Sequence, residues 1–187
     1  ESEGVSIQAY TNVDGKKAAR IDFDSVTVPA AQRLGEAGGA LAALQAVIDR
    51  AIVATSAEAV GALEALLQKT VEYSKTRKQF GTAIGTFQAL QHRMADMFIE
   101  CQLARSIVIM AAMKLDSSEG ELEKTKSVSA AKSRVGRAIR KVGQEAIQIH
   151  GGMGMTEELD VGHLFKRVTA IDVMFGNADF HTGRFAS

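Results

Sequence analysis

From Phe87 to Leu115 the apolar residues fall in unbroken alternating steps of three and four: Phe87, Leu90, Met94, Met97, Cys101, Ala104, Val108, Ala111 and Leu115. Only an α-helix puts such a series on one face; a strand would scatter it over both. The stripe is narrow and long, which is the seam of an antiparallel helix bundle. The single proline of the chain is Pro29, so no later segment carries a proline break. The rest of the chain follows suit. A first helix is predicted over 39–75, about 55 Å long at 1.5 Å per residue, with Val60, Leu63 and Leu67 on one stripe and an irregularity near Thr55-Ser56. After the loop KTRKQFGTAIGT comes the helix above, then the polar loop DSSEGELE. A third helix is expected over 124–150, with Val128, Ala131, Val135, Ala138, Val142, Ala146 and Ile149 inward, and a shorter one over 161–171. Long helices with short connections describe a mainly α protein, an up-down four-helix bundle.

The first thirty residues have a different period. Val5, Ile7 and Ala9 alternate, Asp14-Gly15 marks a turn, and Ile21 and Phe23 alternate again before Pro29. A lone two-stranded hairpin is marginal in water, so this pair is expected to be the remnant of a β-domain whose other strands lie elsewhere. The division predicted is 1–30 as β remnant and 31–187 as helical bundle. A first residue of Glu1, not Met, adds to the expectation of a piece of a longer chain.

Charge excludes some functions. Lys+Arg and Asp+Glu are equal at 22 each, which leaves no global attraction to nucleic acid or an anionic membrane. No apolar run approaching the roughly 20 residues of a bilayer span stands out, so no membrane association is expected. One cysteine, Cys101, cannot make an internal disulfide, and a reducing cytoplasm is the expected location. His92, His150, His163 and His181 lack metal-ligand spacing, and no metal site is expected. Cys101 and the methionines Met94, Met97 and Met110 read as core. The basic residues Lys124, Lys126, Lys132, Arg134, Arg137, Arg140 and Lys141 read as a solvated helix face, since no stacking aromatics accompany them.

Two stretches point to a ligand. RKQFG, 77–81, sets a guanidinium, an amide and a phenyl ring in a glycine-bounded loop, suited to an anionic, partly aromatic molecule. QIHGGMGM, 148–155, offers unhindered backbone N–H groups and the Gln148 amide, suited to a phosphate or a heterocycle edge. A glycine run after a helix is more often a C-cap and turn, so the joint occurrence of the two stretches carries the weight.

Together YSKTRKQFGTAIGTFQALQHRMADM (73–97) and QIHGGMGMTEELDVGHLFKR (148–167) resemble the two signature regions of the acyl-CoA dehydrogenase family, and FDSVTVPAAQRLGEAG resembles the linker that precedes its helical domain. The resemblance covers nearly the whole chain. It implies a C-terminal four-helix bundle following the last strands of a middle β-domain, with FAD as cofactor, an acyl-CoA thioester as substrate, and assembly as a homo-oligomer (dimer or tetramer) or as a heteromer with a related subunit. By position it implies FAD contacts from Arg77, Gln79, Phe80, Gln88, Gln148, Gly151 and Gly152, where a side chain on the glycines would block the cofactor. Asp49 falls where the family often has an acidic residue near the CoA.

The family's reaction is removal of an α-proton by a glutamate with hydride loss from Cβ to the flavin. Aligned without gaps, VMFGNAD (173–179) keeps Gly176 but puts Phe175 at the glutamate position. Asn177 and Asp179 replace a threonine and a glutamine that approach the flavin. The alternative base position, on the first long helix, falls near Ala51 and is no glutamate, and Lys166-Arg167 stands in place of Arg-Asp. The resemblance therefore implies either an enzyme with an unusual base, a base-less subunit paired with an active one, or a domain kept for assembly alone.

Overall fold

The computed structural model describes residues 3–187, which divide into two units with the boundary between Ile48 and Asp49. In the first, β1 (Val5–Thr11) pairs antiparallel with β2 (Lys17–Phe23), Val5 opposite Phe23 and Ile7 opposite Ile21. The turn between them is closed by Asn12 and Lys16, and Gly15 takes the positive φ it requires. Ile7, Ile21 and Phe23 stay exposed on this two-stranded sheet. A short 3-10 turn, Ala30–Gln32, follows Pro29.

Helix α1 runs Ala40–Thr76, from the first unit into the second. Within residues 49–187, α1 is joined by α2 (Gln88–Leu115), α3 (Glu121–His150), α4 (Asp160–Val173) and α5 (Ala178–Ala186). Cross-helix pairs give the directions. Glu100 meets Arg134 and Arg93 meets Glu145, so α2 and α3 are antiparallel; Asp49 meets Thr125 and Tyr73 meets His150, so α1 and α3 are parallel. Glu58 with Arg167 and Lys69 with Asp160 set α4 antiparallel to α1. This is the up-down bundle the periodicity predicts. Its core takes Ile52, Leu63 and Leu66 from α1, Met97 and Cys101 from α2, Val135, Ile139 and Val142 from α3, and Val168 and Ile171 from α4.

Helix α3 lies at the centre, packed against α2, α4 and α5. Small residues allow this: a Cβ on Gly143 would sit 2.8 Å from the Phe165 ring, and one on Gly136 2.5 Å from the Asp172 carboxylate. Cys101 is fully buried on the stripe, and burial pushes its thiol up to about 12. In the folded protein it should therefore resist iodoacetamide at pH 8 and react at full rate only in denaturant, as mass spectrometry would show.

Five expectations need correction. Helix α3 starts at Glu121, three residues before the predicted start, because Glu121 and Glu123 in its first turn favour the positive end of the helix dipole. The basic residues of α3 are not uniformly solvated: Lys132 is fully buried, its ammonium donating to the carbonyls of Ile171 and Asp172 at 2.6 and 2.9 Å. Met110 is exposed, on a face of α2 that also exposes Ile109 and Met113. Helix α1 is long and apolar enough, by length and composition alone, to cross a membrane, although its buried face carries Asp49, Ser56 and Thr70. The irregularity expected near Thr55-Ser56 is absent; the helix runs through, and the Thr55 hydroxyl bonds back to Ala51 and Ile52.

Candidate functional site

The loop after α1 is built from its backbone outward. Arg77 N–H closes the last helical turn on Tyr73, and Ile84 N–H returns to Arg77 C=O. Between them Lys78–Gln79 (β3) pairs with Thr82–Ala83 (β4) around the turn residues Phe80 and Gly81, whose φ values are 54° and 81°. Two positive φ values define a type I′ turn, where asparagine or glycine is usual at the first position. Phe80 is an unusual choice there and is 92% exposed, its ring edge-on to Phe87. A strained phenyl ring left open to solvent suits contact with something outside this fold. Ile84, buried below, anchors the loop, and Gly85 is required because a Cβ would meet Ser74 at 2.9 Å.

The opposite wall is the C-terminal end of α3. Gly151 ends the helix at φ 61° and ψ −141°, a region open only to glycine. Gly154 and Gly162 serve packing, since a Cβ on the first would crowd His150 and on the second the Gly154 carbonyl. Gly152 has no such need within the fold, because a Cβ there would meet nothing within 4 Å. Between the walls lies an open groove of about 510 Å³.

Arg77, Gln79, Phe80, Gly151 and Gly152 all line this groove. Arg77 is exposed and its guanidinium has no partner among the described residues. The donor set, one free guanidinium beside an open glycine backbone and flanking aromatic rings, fits the anionic and heterocyclic parts of a dinucleotide. Gln88 opens α2 and Gln148 sits on the exposed side of α3; neither lines the groove. Tyr73 and His150 were missed by sequence reasoning: their rings stack at 4.3 Å and floor the groove. Their only local signal was that each belongs to one of the two signature stretches.

Asn177 and Asp179 belong to a second locale, the start of α5. Asn177 Oδ1 caps the helix by accepting from Phe180 N–H at 3.0 Å, and Asp179 lies exposed in its first turn. Just before them Phe175, half-exposed, has φ 58° and Gly176 has φ 100°. The backbone here is held from below: buried His181 donates from Nε2 to Phe175 C=O at 3.0 Å, and Lys132 holds the end of α4. Burial pulls His181 below the usual histidine range, so its ring is neutral, with Nδ1 left to accept from Ser129. Asp49 is 4% exposed and both its oxygens are occupied, by Arg184 at 2.8 Å and Thr125 at 2.9 Å. It ties α1 to α3 and α5 and does not line the groove of Arg77.

The chain's residues 37–187 match the family described as "Acyl-CoA dehydrogenase, C-terminal domain". It is 34% identical over 167 residues to the "Probable acyl-CoA dehydrogenase YngJ" of Bacillus subtilis, covering 89% of this chain and 43% of that one. The butyryl-CoA dehydrogenase structure from Megasphaera elsdenii superposes with a TM-score of 0.87 at 28% identity, over 99% of this chain and 48% of that one. The ChsE4-ChsE5 complex from Mycobacterium tuberculosis gives 0.88 at 26% identity, over 99% and 49%. The chain thus spans about half the length of these relatives. With a helical bundle of this family's pattern and both signature stretches on one groove, the chain belongs to the acyl-CoA dehydrogenase family, whose C-terminal domain it carries.

Proposed function

We propose that this domain serves an FAD-dependent oxidoreductase of acyl-CoA thioesters, holding the pyrophosphate and adenine end of the cofactor in the groove between residues 77–80 and 150–153. The observation that carries the proposal is the groove itself, where two segments distant in sequence bring together an unpaired Arg77, the open Gly152 backbone and exposed aromatic surface. FAD, when bound, supplies the acceptor for hydride. Arg77 offers charge and paired donors to the phosphates, and Phe80 and Tyr73 offer apolar faces. Gln88, Gln148, Asn177 and Asp179 remain proposed contacts, reached from surfaces outside the groove.

For the proton, this domain has Phe175 where the family places a glutamate. A phenyl ring accepts no proton, and Asp49 is engaged by Arg184 and Thr125. The proposal is therefore a base-poor subunit that dehydrogenates poorly alone and works beside a related subunit. That a similar structure is a complex of two differently named proteins supports this. The exposed apolar face of α2, Phe98, Ile99, Leu103, Ile109 and Met113, supports association, as homo-oligomer or heteromer. A cytoplasmic location belongs to the same proposal, in keeping with one buried cysteine.

The test is flavin affinity of the full-length protein. Arg77→Ala should weaken FAD binding about 10- to 100-fold, the loss of a charge-assisted hydrogen bond of about 1.5–3 kcal/mol. Unchanged affinity, by flavin fluorescence titration, would remove the groove assignment.

A further inference from the structure

The groove contains a polar group with no task inside the fold. His150 is the last residue of α3, 5% exposed, and its ring is fixed twice over: it stacks on Tyr73 with centroids 4.3 Å apart, and Nδ1 lies 2.8 Å from the Ala146 carbonyl oxygen. A carbonyl oxygen only accepts, so the proton of the neutral ring sits on Nδ1. The lone pair is then at Nε2. This atom has no hydrogen-bond partner among the described residues, yet it keeps contact with solvent, and the ring lines the groove. A side chain 95% removed from water, with one nitrogen spent on its own helix and the other open to a ligand groove, is an oriented acceptor.

We propose that His150 is a ligand-binding residue whose Nε2 accepts a hydrogen bond from the adenosine end of the bound dinucleotide, from the adenine amino group or a ribose hydroxyl. The proposal rests on the groove's assignment to FAD and deepens it. The other polar groups on the walls do different work. Arg77 can only donate, and the Gln79 amide, which gives one N–H to the Lys78 carbonyl at 2.9 Å, is an exposed side chain whose oxygen has water for a partner. The groove therefore holds its cation at one edge and a neutral acceptor at its floor, which matches a molecule that is anionic at one end and carries N–H and O–H donors at the other. Phenylalanine at position 150 would keep the stack on Tyr73 and remove the acceptor. Glutamine reaches about as far as Nε2 and restores an acceptor without the ring.

The experiment measures dissociation constants of full-length apoprotein for FAD and for three analogues: hypoxanthine in place of adenine, 2′-deoxyribose, and 3′-deoxyribose in the adenosine half. Wild type should bind one analogue about 10-fold more weakly than FAD, since the buried acceptor is left without a donor. His150→Phe should bind FAD about 10-fold more weakly and lose that discrimination, and His150→Gln should regain part of it. A residue that merely supports the fold would lower affinity for all four ligands alike, so discrimination is the deciding quantity. Should His150→Phe not fold, the wild-type series decides alone. Equal binding of all four by wild type, or discrimination surviving in His150→Phe, overturns the proposal while an Arg77-sensitive flavin affinity keeps the groove. An Arg77-insensitive affinity removes both.

Discussion

Lys132→Met is expected to lower the stability of the folded protein by about 2–4 kcal/mol although methionine is similar in length and more apolar. Space is not what is lost. The ammonium satisfies the carbonyls of Ile171 and Asp172 where α4 ends; the Ile171 oxygen keeps a second donor in Met174 N–H, but the Asp172 carbonyl loses the lysine, and the buried Asp172 carboxylate is left with Arg140 at 3.5 Å. A buried acceptor left unsatisfied costs about 1–3 kcal/mol, and the weaker compensation of the Asp172 carboxylate adds to it. The effect has a pH signature. Burial lowers the lysine from 10.5 to about 8, against the smaller opposing pull of Asp172. Below about pH 8 the folded state bears the full burden of a buried cation. Between about pH 8 and 10.5 the folded protein sheds that proton while the unfolded chain keeps it, so the contribution of Lys132 to stability grows with pH. The difference between wild type and Lys132→Met in urea should widen from pH 7 to pH 10. A constant difference would show that the lysine stays charged in the fold.

Phe175→Glu in the full-length protein should raise acyl-CoA dehydrogenation by about 10²–10⁴-fold, the usual contribution of a positioned general base. The loop can accept the change. Its backbone is set by the His181 bond to the Phe175 carbonyl and by Gly176, whose Cβ would collide with the Phe180 ring at 2.4 Å, and none of this involves the Phe175 side chain. The ring is half-exposed in this domain, so its removal opens no core cavity. Stopped-flow bleaching of the flavin by substrate reads the step directly. Asp49→Asn is the control: loss of the Arg184 pair should lower the melting temperature and leave the gained rate in place. Fast turnover by the unaltered homomer, indifferent to position 175, would place the base elsewhere.

Much of this was legible in the residues because the bundle is periodic. The stripe from Leu90 to Leu115 needs only step counting, and the glycines and Arg77 stand out because their residue types are costly or unusual where they occur. Periodicity says nothing of depth, which is why Lys132 read as a solvated lysine; its position faces the α4 terminus, and that contact joins residues 39 and 40 apart in sequence. Helix α5 was missed because Ala178–Ala186 has too few turns to show a stripe and begins at a cap, Asn177, that also reads as loop. Tyr73 and His150 lie 77 residues apart, and no local pattern marks a stack across that distance.

The central place of α3 has a kinetic consequence. Its contacts to α2 and α4 are made with its neighbours along the chain, Glu100 reaching Arg134 across 34 residues, while those to α5 pass over α4, with Ser133–Thr182 across 49. Helix α1 reaches α3 through contacts such as Asp49–Thr125 and Tyr73–His150, with separations of 76 and 77 residues. The pairs α1–α2, tied by Glu64–Arg105 across 41 residues, and α2–α3 are therefore the cheapest to close, and the α1–α3 contacts cost the longer loop. Since α1 and its following loop form one wall of the groove and the end of α3 the other, the ligand site is completed only when the 77-residue separation between Tyr73 and His150 is closed.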